Sequence, residues 1–215
     1  MEKRWLIYKK YICFSGDDVT TSPDDQDYLQ DVAKAVTNLN EKGENLGIIF
    51  RRCPVDFSNR YDEVLKTYKS IITPIAPKWE KISTTWNTIL PTRADMKLQS
   101  QTIKYTEMVI NLGSSMVFDY AVYNKPCAFI NYDVSNRKLK NWSVKKIYNY
   151  VHFRSMPNDK SVVWLNSPDD ISGKIEKALN KNNASKAQEW FKIINSHPIE
   201  NASVTIVNEL KKIIK

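Results

Sequence analysis

The stretch that most constrains the fold is the run over residues 107–133, EMVINLGSSMVFDYAVYNKPCAFINYD. Residues 108–112 and 127–130 are short apolar runs typical of buried strands, and residues 116–123 between them have the apolar spacing of a short helix. Two buried strands joined by a helical crossover predict a right-handed βαβ unit in a parallel sheet.

The turn inside this run, Gly113-Ser114-Ser115, is the first candidate for a binding site. At a helix N-terminus such a turn offers backbone N–H groups, two hydroxyls and the positive end of a helix dipole, which together suit a phosphate or a diphosphate. Serine after a strand is also a common N-cap, and glycine is common in such turns. The turn alone is therefore compatible with a structural cap as well as with a phosphate site.

Strand-like and helix-like segments alternate along nearly the whole chain. The predicted strands are 11–14, 46–50, 71–75, 108–112, 127–130 and 162–165. The predicted helices are 25–42, 59–70, 95–106, 116–123, 168–180, 185–196 and 202–214. This alternation predicts an α/β fold, a doubly wound Rossmann-like parallel sheet of about six strands with helices on both faces. We divide the chain into a Rossmann-like domain, 1–182, and a C-terminal helical extension, 183–215. The apolar face of the extension is expected to pack on this domain, with a further domain or a homodimer partner as the alternatives.

The composition indicates a folded chain with a basic surface. Among 215 residues, 42% are hydrophobic and six are tryptophan, which is enough for one full core. The formal net charge is +8, and residues 137–146 form an acid-free basic cluster. A basic surface suits phosphate-bearing partners, such as nucleotides or an anionic membrane surface, and a solvated face is the alternative. Nucleic acid is not expected as a partner, because the sequence shows no recognised nucleic-acid module.

Cysteine usage and hydropathy indicate the compartment. The three cysteines, Cys13, Cys53 and Cys127, lie far apart without a C-x-x-C pair, which indicates reduced thiols and no zinc site. The N-terminal MEKRWLIYKKYICF is interpreted as a lead-in to a strand, because lysines interrupt its apolar part and no cleavage site follows. No apolar run approaches the ~20 residues that span a bilayer. We expect a cytoplasmic protein, with peripheral contact to the inner face of the membrane as a further expectation.

Three strand ends are the expected positions for a ligand. In a doubly wound sheet, ligands bind outside the carboxyl ends of the strands, where the strand order reverses. This rule selects Ser15-Gly16, Arg51-Arg52 and the turn that begins at Gly113. Two of only five glycines lie in these turns, which indicates close approach of the backbone to a ligand or to a neighbouring turn.

These residues carry a resemblance to a known family. A strand–Gly loop, followed later by a Gly/Ser turn, its helix and an acid on that helix, is similar to the C-terminal half of GT-B glycosyltransferases. The run SSMVFDYAVYNKPCAFINYD looks most like the branch containing CDP-glycerol glycerophosphotransferases and related surface-polysaccharide enzymes, which show a Ser-Ser, Phe-Asp, Lys-Pro, Tyr-x-Asp progression. Arg51-Arg52-Cys53-Pro54 is similar to the Arg-x-His-Pro of that branch. The resemblance covers roughly residues 8–180.

The resemblance implies a site for a nucleotide-diphosphate donor that carries a sugar or a polyol. Ser114 and Ser115, with their backbone N–H groups, are expected to bind the donor β-phosphate beside Gly113. Asp119, four residues after the second serine, is expected to accept hydrogen bonds from the ribose hydroxyls. Helix capping is the alternative role of the serines, and a solvated helix acid is the alternative role of the aspartate.

Further residues complete the expected donor site. Arg51 or Arg52 is expected to pair with a phosphate oxygen, with a surface arginine as the alternative. Ser15 and Gly16 are expected to form the loop that faces the acceptor domain, near the transferred group. His152 is the candidate catalytic residue if the chain supplies acid–base chemistry itself, and a structural histidine is the alternative.

Other candidates receive a structural interpretation. Trp79 and Trp86 could stack on a base, but packing is the commoner role of tryptophan, and His197 is interpreted as structural. Asp24-Asp25 and Asp169-Asp170 are interpreted as helix N-terminal acids. No metal and no cofactor is expected, and the nucleotide-diphosphate donor enters as a substrate.

Two features depart from the family pattern. Cys53 stands where that branch has histidine, and a thiol is a poorer phosphate partner than an imidazolium. The chain also resembles only the second of the two domains of a GT-B enzyme. An N-terminal acceptor domain or a partner chain is therefore expected to complete the site.

Three functions stay open at this stage. The first is the donor-binding domain of a glycosyltransferase-like enzyme, incomplete alone, in surface polysaccharide synthesis. The second is a non-catalytic binding or scaffold module that needs a partner chain carrying the acceptor domain. The third is a different Rossmann-like enzyme, such as half of a nucleotide-sugar epimerase. Dinucleotide oxidoreductase activity is not expected, because SGDDVTTS after the first strand lacks a G-x-G-x-x-G motif.

Overall fold

A computed structural model describes residues 7–83, 85, 88–181, 183–195 and 199–214. The strands are β1 (Lys10–Ser15), β2 (Leu46–Arg51), β3 (Ile72–Ile75), β4 (Trp79–Lys81), β5 (Ile89–Pro91), β6 (Val109–Asn111), β7 (Cys127–Ile130) and β8 (Val163–Leu165). The α-helices are α1 (Asp25–Glu41), α2 (Asp62–Thr67), α3 (Arg93–Tyr105), α4 (Met116–Val122), α5 (Val144–Tyr148), α6 (Val151–Arg154), α7 (Ile171–Lys181), α8 (Ser185–Asn195) and α9 (Ala202–Ile213).

Six strands form one parallel sheet in the order β3-β2-β1-β6-β7-β8, and β4 pairs with β5 in a separate antiparallel hairpin. The order reverses between β1 and β6, which makes that junction the switch point of a doubly wound sheet. The predicted α/β Rossmann-like fold is confirmed. Each predicted strand is present within one residue of its expected bounds, and β3 with Pro74 lies at the sheet edge, where a strand proline is tolerated.

The core lies on both faces of the sheet. Every residue of β2, β6 and β7 is buried, as is typical of parallel strands that are covered on both sides. Helix α1 packs against α7, and α4 packs against α8. Because the β1-α1-β2 and β6-α4-β7 crossovers are right-handed and run in opposite directions from the switch point, these two helix pairs cover opposite faces.

The loops contain more structure than the sequence predicts. The tryptophan- and proline-rich segment after β3 holds the β4–β5 hairpin, and the basic segment after β7 holds α5 and α6. Helix α3 begins two residues before the predicted start, with Thr92 as its N-cap and the Thr92 hydroxyl accepting from the Asp95 N–H at 3.2 Å. The side chain of Thr92 therefore caps α3, and the carboxylate of Asp95 is buried.

The two C-terminal helices behave differently. Trp190 of α8 is fully buried, with its ring centroid 4.7 Å from that of Phe118 on α4. Helix α9 has no buried residue. Its exposed apolar side chains are Val204, Ile206, Val207, Leu210 and Ile213. This differs from the expectation that the whole extension packs on the domain, because α1, α7, α4 and α8 already cover the two faces of the sheet.

Within the described residues, no helix has the length and apolar character that crossing a membrane requires.

Candidate functional site

The three predicted strand ends lie together at one edge of the sheet. Ser15, at the end of β1, is in register with Arg51, at the end of β2. On the other side of β1, Phe14 is in register with Ile110, one residue before the end of β6. The turn after β6 therefore opens beside the turn after β1, as expected for a switch point.

Arg51 is buried and anchored on one side only. Its Nη2 donates to Oδ2 of Asp95 at 2.8 Å, and the guanidinium side chain is 6% exposed. The Asp95 carboxylate also accepts from the backbone N–H of Lys78 and from the indole N–H of Trp79. Burial alone would raise the pKa of Asp95, but these hydrogen bonds and the arginine charge hold it below its usual range. Nη1 of Arg51 is buried without a partner among the described residues.

Helix α3 connects this arginine to the predicted ribose-binding acid. Asp95 and Gln99 lie one turn apart on the same face of α3. Nε2 of Gln99 donates to Oδ2 of Asp119 on α4 at 3.0 Å. Burial raises the pKa of Asp119, while the hydrogen bond from Gln99 and the charge of Arg51 oppose that rise. Arg51 and Asp119 are therefore neighbours in one electrostatic cluster across the switch point.

Some hydrogen-bonding groups of the Gly-Ser-Ser turn are already paired within the turn. The Ser114 N–H donates to Oδ1 of Asn111 at 2.9 Å, and the Ser114 hydroxyl accepts from the Met116 N–H at 3.3 Å. The Ser114 N–H is thus already satisfied and is not available to a phosphate. Ser115 is exposed, and its side chain makes no capping bond to α4. Both hydroxyls and the N-terminal end of the helix remain on the surface of the turn.

At both turn glycines, neighbouring protein atoms leave little room for a side chain. Gly113 has φ +58°, and a Cβ there would lie 2.7 Å from Cγ2 of Ile147 and 3.2 Å from the ring of Phe153. A Cβ at Gly16 would lie 3.0 Å from the hydroxyl of Tyr61. Of the two reasons expected for these glycines, close approach to a neighbouring part of the fold is the one that the contacts support.

A buried carboxyl cluster lies behind the β1 turn. Asp25 accepts from the hydroxyls of Ser22 at 2.8 Å and Tyr61 at 2.6 Å, and Nη2 of Arg60 donates to the carbonyl of Asp17 at 2.6 Å. Burial raises the pKa of Asp25 to about 6, although the Tyr61 hydrogen bond and the Arg60 charge oppose it. Burial and the charge of Asp25 raise the pKa of Asp17 to about 7.

Asp24 and Asp25 lie at the N-terminus of α1, as predicted, and the carboxylate of Asp25 is fully buried and bonded within the fold. The sequence carries one signal for this cluster, the two aspartate pairs that follow β1 within ten residues. The partner Tyr61, 36 residues away, has no such signal.

The other predicted residues lie around this edge in different roles. Nη1 of Arg52 donates to the carbonyl of Ser58 at 2.9 Å, and its guanidinium lies over the ring of Tyr61. His152 is exposed on α6, its ring 4.1 Å from that of Phe153, and its imidazole makes no hydrogen bond among the described residues. The ring of Phe153, in turn, packs against the Gly113 turn.

The remaining predictions concern the tryptophans, His197, the cysteines and a metal site. The indole N–H of Trp79 donates to Asp95, which gives this tryptophan a structural role. Trp86 and His197 lie outside the described residues. The three cysteines are free thiols, as predicted. Within the described part of the chain, no group of three or more His, Cys, Asp or Glu residues is placed to hold a metal ion.

Comparison with known proteins shows a shared fold. No protein-family model matches the chain, and no curated protein matches it in sequence. The UDP co-structure of S. aureus MnaA is similar, with a TM-score of 0.55 and 12% identity, over 96% of this chain and 46% of that chain. UDP-GlcNAc 2-epimerase from Neisseria meningitidis, bound to UDP-GlcNAc, is similar with a TM-score of 0.53 and 11% identity, over 94% of this chain and 45% of that chain.

A third similar structure is a variant of the wall teichoic acid polymerase TagF soaked with CDPG. Its TM-score is 0.50 and its identity 15%, over 96% of this chain and 42% of that chain. The chain thus spans less than half the length of these three structures. At such identities the comparisons show the fold, and they confirm the Rossmann-like half of a GT-B architecture that the resemblance implies.

Proposed function

We propose that this chain is the donor-binding domain of a glycosyltransferase-like enzyme. It transfers a sugar or a polyol phosphate from a nucleotide-diphosphate donor in the synthesis of a surface polysaccharide. The observation that carries the proposal is the buried Arg51 at the carboxyl end of β2, next to the switch point, whose Nη1 has no partner among the described residues. Support also comes from similar folds whose structures were solved with UDP, UDP-GlcNAc or CDPG.

In this proposal the chain binds the leaving nucleotide and stabilises its charge. The hydroxyls of Ser114 and Ser115 donate to the β-phosphate, and Arg51 pairs with a phosphate oxygen through Nη1. The N-terminal end of α4 contributes a positive dipole. As the bond to the transferred group breaks, negative charge grows on the diphosphate, and these fixed donors stabilise it without rearrangement.

The remaining contacts fix the nucleoside and the acceptor side. Asp119 accepts from the ribose hydroxyls through Oδ1, since Oδ2 is held by Gln99. Ser15 and Gly16 face the transferred group. His152, exposed on α6 next to Phe153, is the acid–base residue of this half, and an N-terminal acceptor domain or a partner chain supplies the acceptor. We also place the protein in the cytoplasm, with the basic cluster 137–146 toward the inner membrane face.

Calorimetric titration with UDP, CDP, GDP and ADP tests this proposal. We expect one nucleotide to bind with a Kd between micromolar and low millimolar, and Ser114→Ala/Ser115→Ala to weaken it at least tenfold, about 1.4 kcal/mol. Ser70→Ala/Ser203→Ala removes two exposed hydroxyls elsewhere and is the matched control. It should bind as the wild type does.

Two results count against the donor site. If both double variants bound the nucleotide equally well, the Gly113 turn would not be part of the donor site. No binding of any nucleotide by the folded chain would favour the scaffold function, and the next step would then be to isolate the partner chain.

A further inference from the structure

A second site lies away from the switch point, along the free edge strand β8. A cavity of about 620 Å³ runs from Asn166, after the carboxyl end of β8, to Pro126, before the amino end of β7. Five lysines line it, and we call it the lysine groove. They are Lys160, Lys174, Lys177, Lys181 and Lys186.

The lysine groove carries uncompensated positive charge. Asp159 is the single acid among the described residues that line it. Lys186 pairs with Glu189 at 2.8 Å. The other four lysines make no ion pair with any described residue. The groove therefore holds about three net positive charges, which attract an anion of several charges.

Three of the groove lysines lie on α7 at regular spacing. Lys174, Lys177 and Lys181 are spaced by three and four residues, so they lie on one face of the helix, about 10 Å from first to last. Like charges at these spacings destabilise a helix. Ile171 and Ile175 are buried and attach α7 to the core. Folding therefore keeps the three lysines close together despite their mutual repulsion. A ligand with negative charges at regular intervals would relieve it.

We propose that the lysine groove binds a linear anion with regularly repeated phosphate groups and no bases. This site is separate from the donor site, and the inference does not depend on the proposed function. Three cationic ammonium groups in a line, each a point charge with rotatable donors, suit a chain of phosphates that has no fixed orientation.

Single-stranded nucleic acid fits the groove less well, because stacking of its bases needs free aromatic faces. Trp164 is the aromatic residue among those described in the lining. It is packed edge-on against Phe129 and Tyr148, and its indole N–H donates to the carbonyl of Asp159 at 2.8 Å. A membrane surface also fits less well, because the lysines line a concavity and a bilayer contacts protruding basic and apolar side chains.

Binding to inorganic polyphosphate, measured by calorimetry over a series of salt concentrations, tests the inference. We expect Lys174→Gln/Lys177→Gln/Lys181→Gln to weaken binding at least tenfold at ~0.1 M salt and to reduce the slope of log K against log salt by about 2. Glutamine keeps helix propensity, and the loss of repulsion leaves α7 at least as helical, which circular dichroism checks. A glycerol phosphate oligomer in the same titration shows whether the natural source is a polyol phosphate chain.

Lys66→Gln/Lys69→Gln/Lys97→Gln is the matched control, because it removes three exposed lysines that do not line the groove and leaves the same net charge as the first triple variant. Equal weakening in both triple variants would overturn the inference, since overall charge would then explain binding. Tighter binding of oligothymidylate, or of phosphatidylglycerol vesicles, than of polyphosphate would overturn it in favour of nucleic acid or a membrane.

Discussion

Among single residues, two glycines differ in the space that surrounds them. Gly113 has a left-handed backbone and no room for a Cβ, which would lie 2.7 Å from Ile147. Gly173 lies within α7, where an added Cβ would have no contact within 4 Å. Gly113→Ala should therefore lower the free energy of unfolding by about 2 kcal/mol, through overpacking and backbone strain. Gly173→Ala should raise it by about 0.5–1 kcal/mol.

Urea denaturation of both glycine variants measures these changes. An unchanged midpoint in Gly113→Ala would contradict the packing of α5 against the turn. Gly173→Ala is the internal control, since it makes the same chemical change on a helix where space is open.

The carboxyl cluster behind β1 predicts a pH dependence of stability. The pKa of Asp17 is raised from 3.8 to about 7 and that of Asp25 to about 6, so the folded state binds more protons than the unfolded state in this range. The free energy of unfolding should therefore fall as the pH rises from about 4 to about 7, with a slope of at most about 1.4 kcal/mol per pH unit for one carboxyl.

Asp17→Asn should reduce this slope and stabilise the protein at pH 8, because a neutral amide carries no charge to bury. Denaturant titrations at several pH values check it, with the exposed Asp62→Asn as the control that keeps the wild-type slope. A wild-type slope in Asp17→Asn would show that this carboxyl is solvated.

At the scale of elements, α8 and α9 should differ in what they contribute to stability. Trp190 of α8 is fully buried, packs on Phe118 and donates its indole N–H to the Ser155 hydroxyl at 2.9 Å. Trp190→Ala should cost about 3–5 kcal/mol. Ile213→Ser on α9 should change stability by no more than about 0.5 kcal/mol, because Ile213 is 80% exposed.

Thermal unfolding of these two variants separates the helices. A large loss in Ile213→Ser would mean that α9 is covered in solution.

At the scale of the whole molecule, the sequence predicts the scaffold well and the side-chain partners poorly. The strands are predictable because a strand buried on both faces is a continuous apolar run, and that property is local. The order of the strand ends then follows from the doubly wound rule. The positions of Arg51, Ser114 and Asp119 at one edge are predictable for this reason.

The partners of these residues depend on contacts between distant segments. Arg51 pairs with Asp95, 44 residues away, and Asp119 with Gln99, 20 residues away. No local period or turn signal encodes such a pair. The exposure of α9 is unpredictable for a related reason, because its apolar spacing is that of a packed helix and only the finished sheet shows that its faces are already covered.

The one-sided anchoring of Arg51 also affects the entropy of binding. A free arginine side chain has about 2 kcal/mol of rotamer entropy to lose when it is immobilised. Asp95 already restrains this side chain through Nη2, so that loss occurs when the protein folds. An anion that reaches Nη1 would meet a donor fixed in direction and already desolvated, so little further ordering would reduce its affinity.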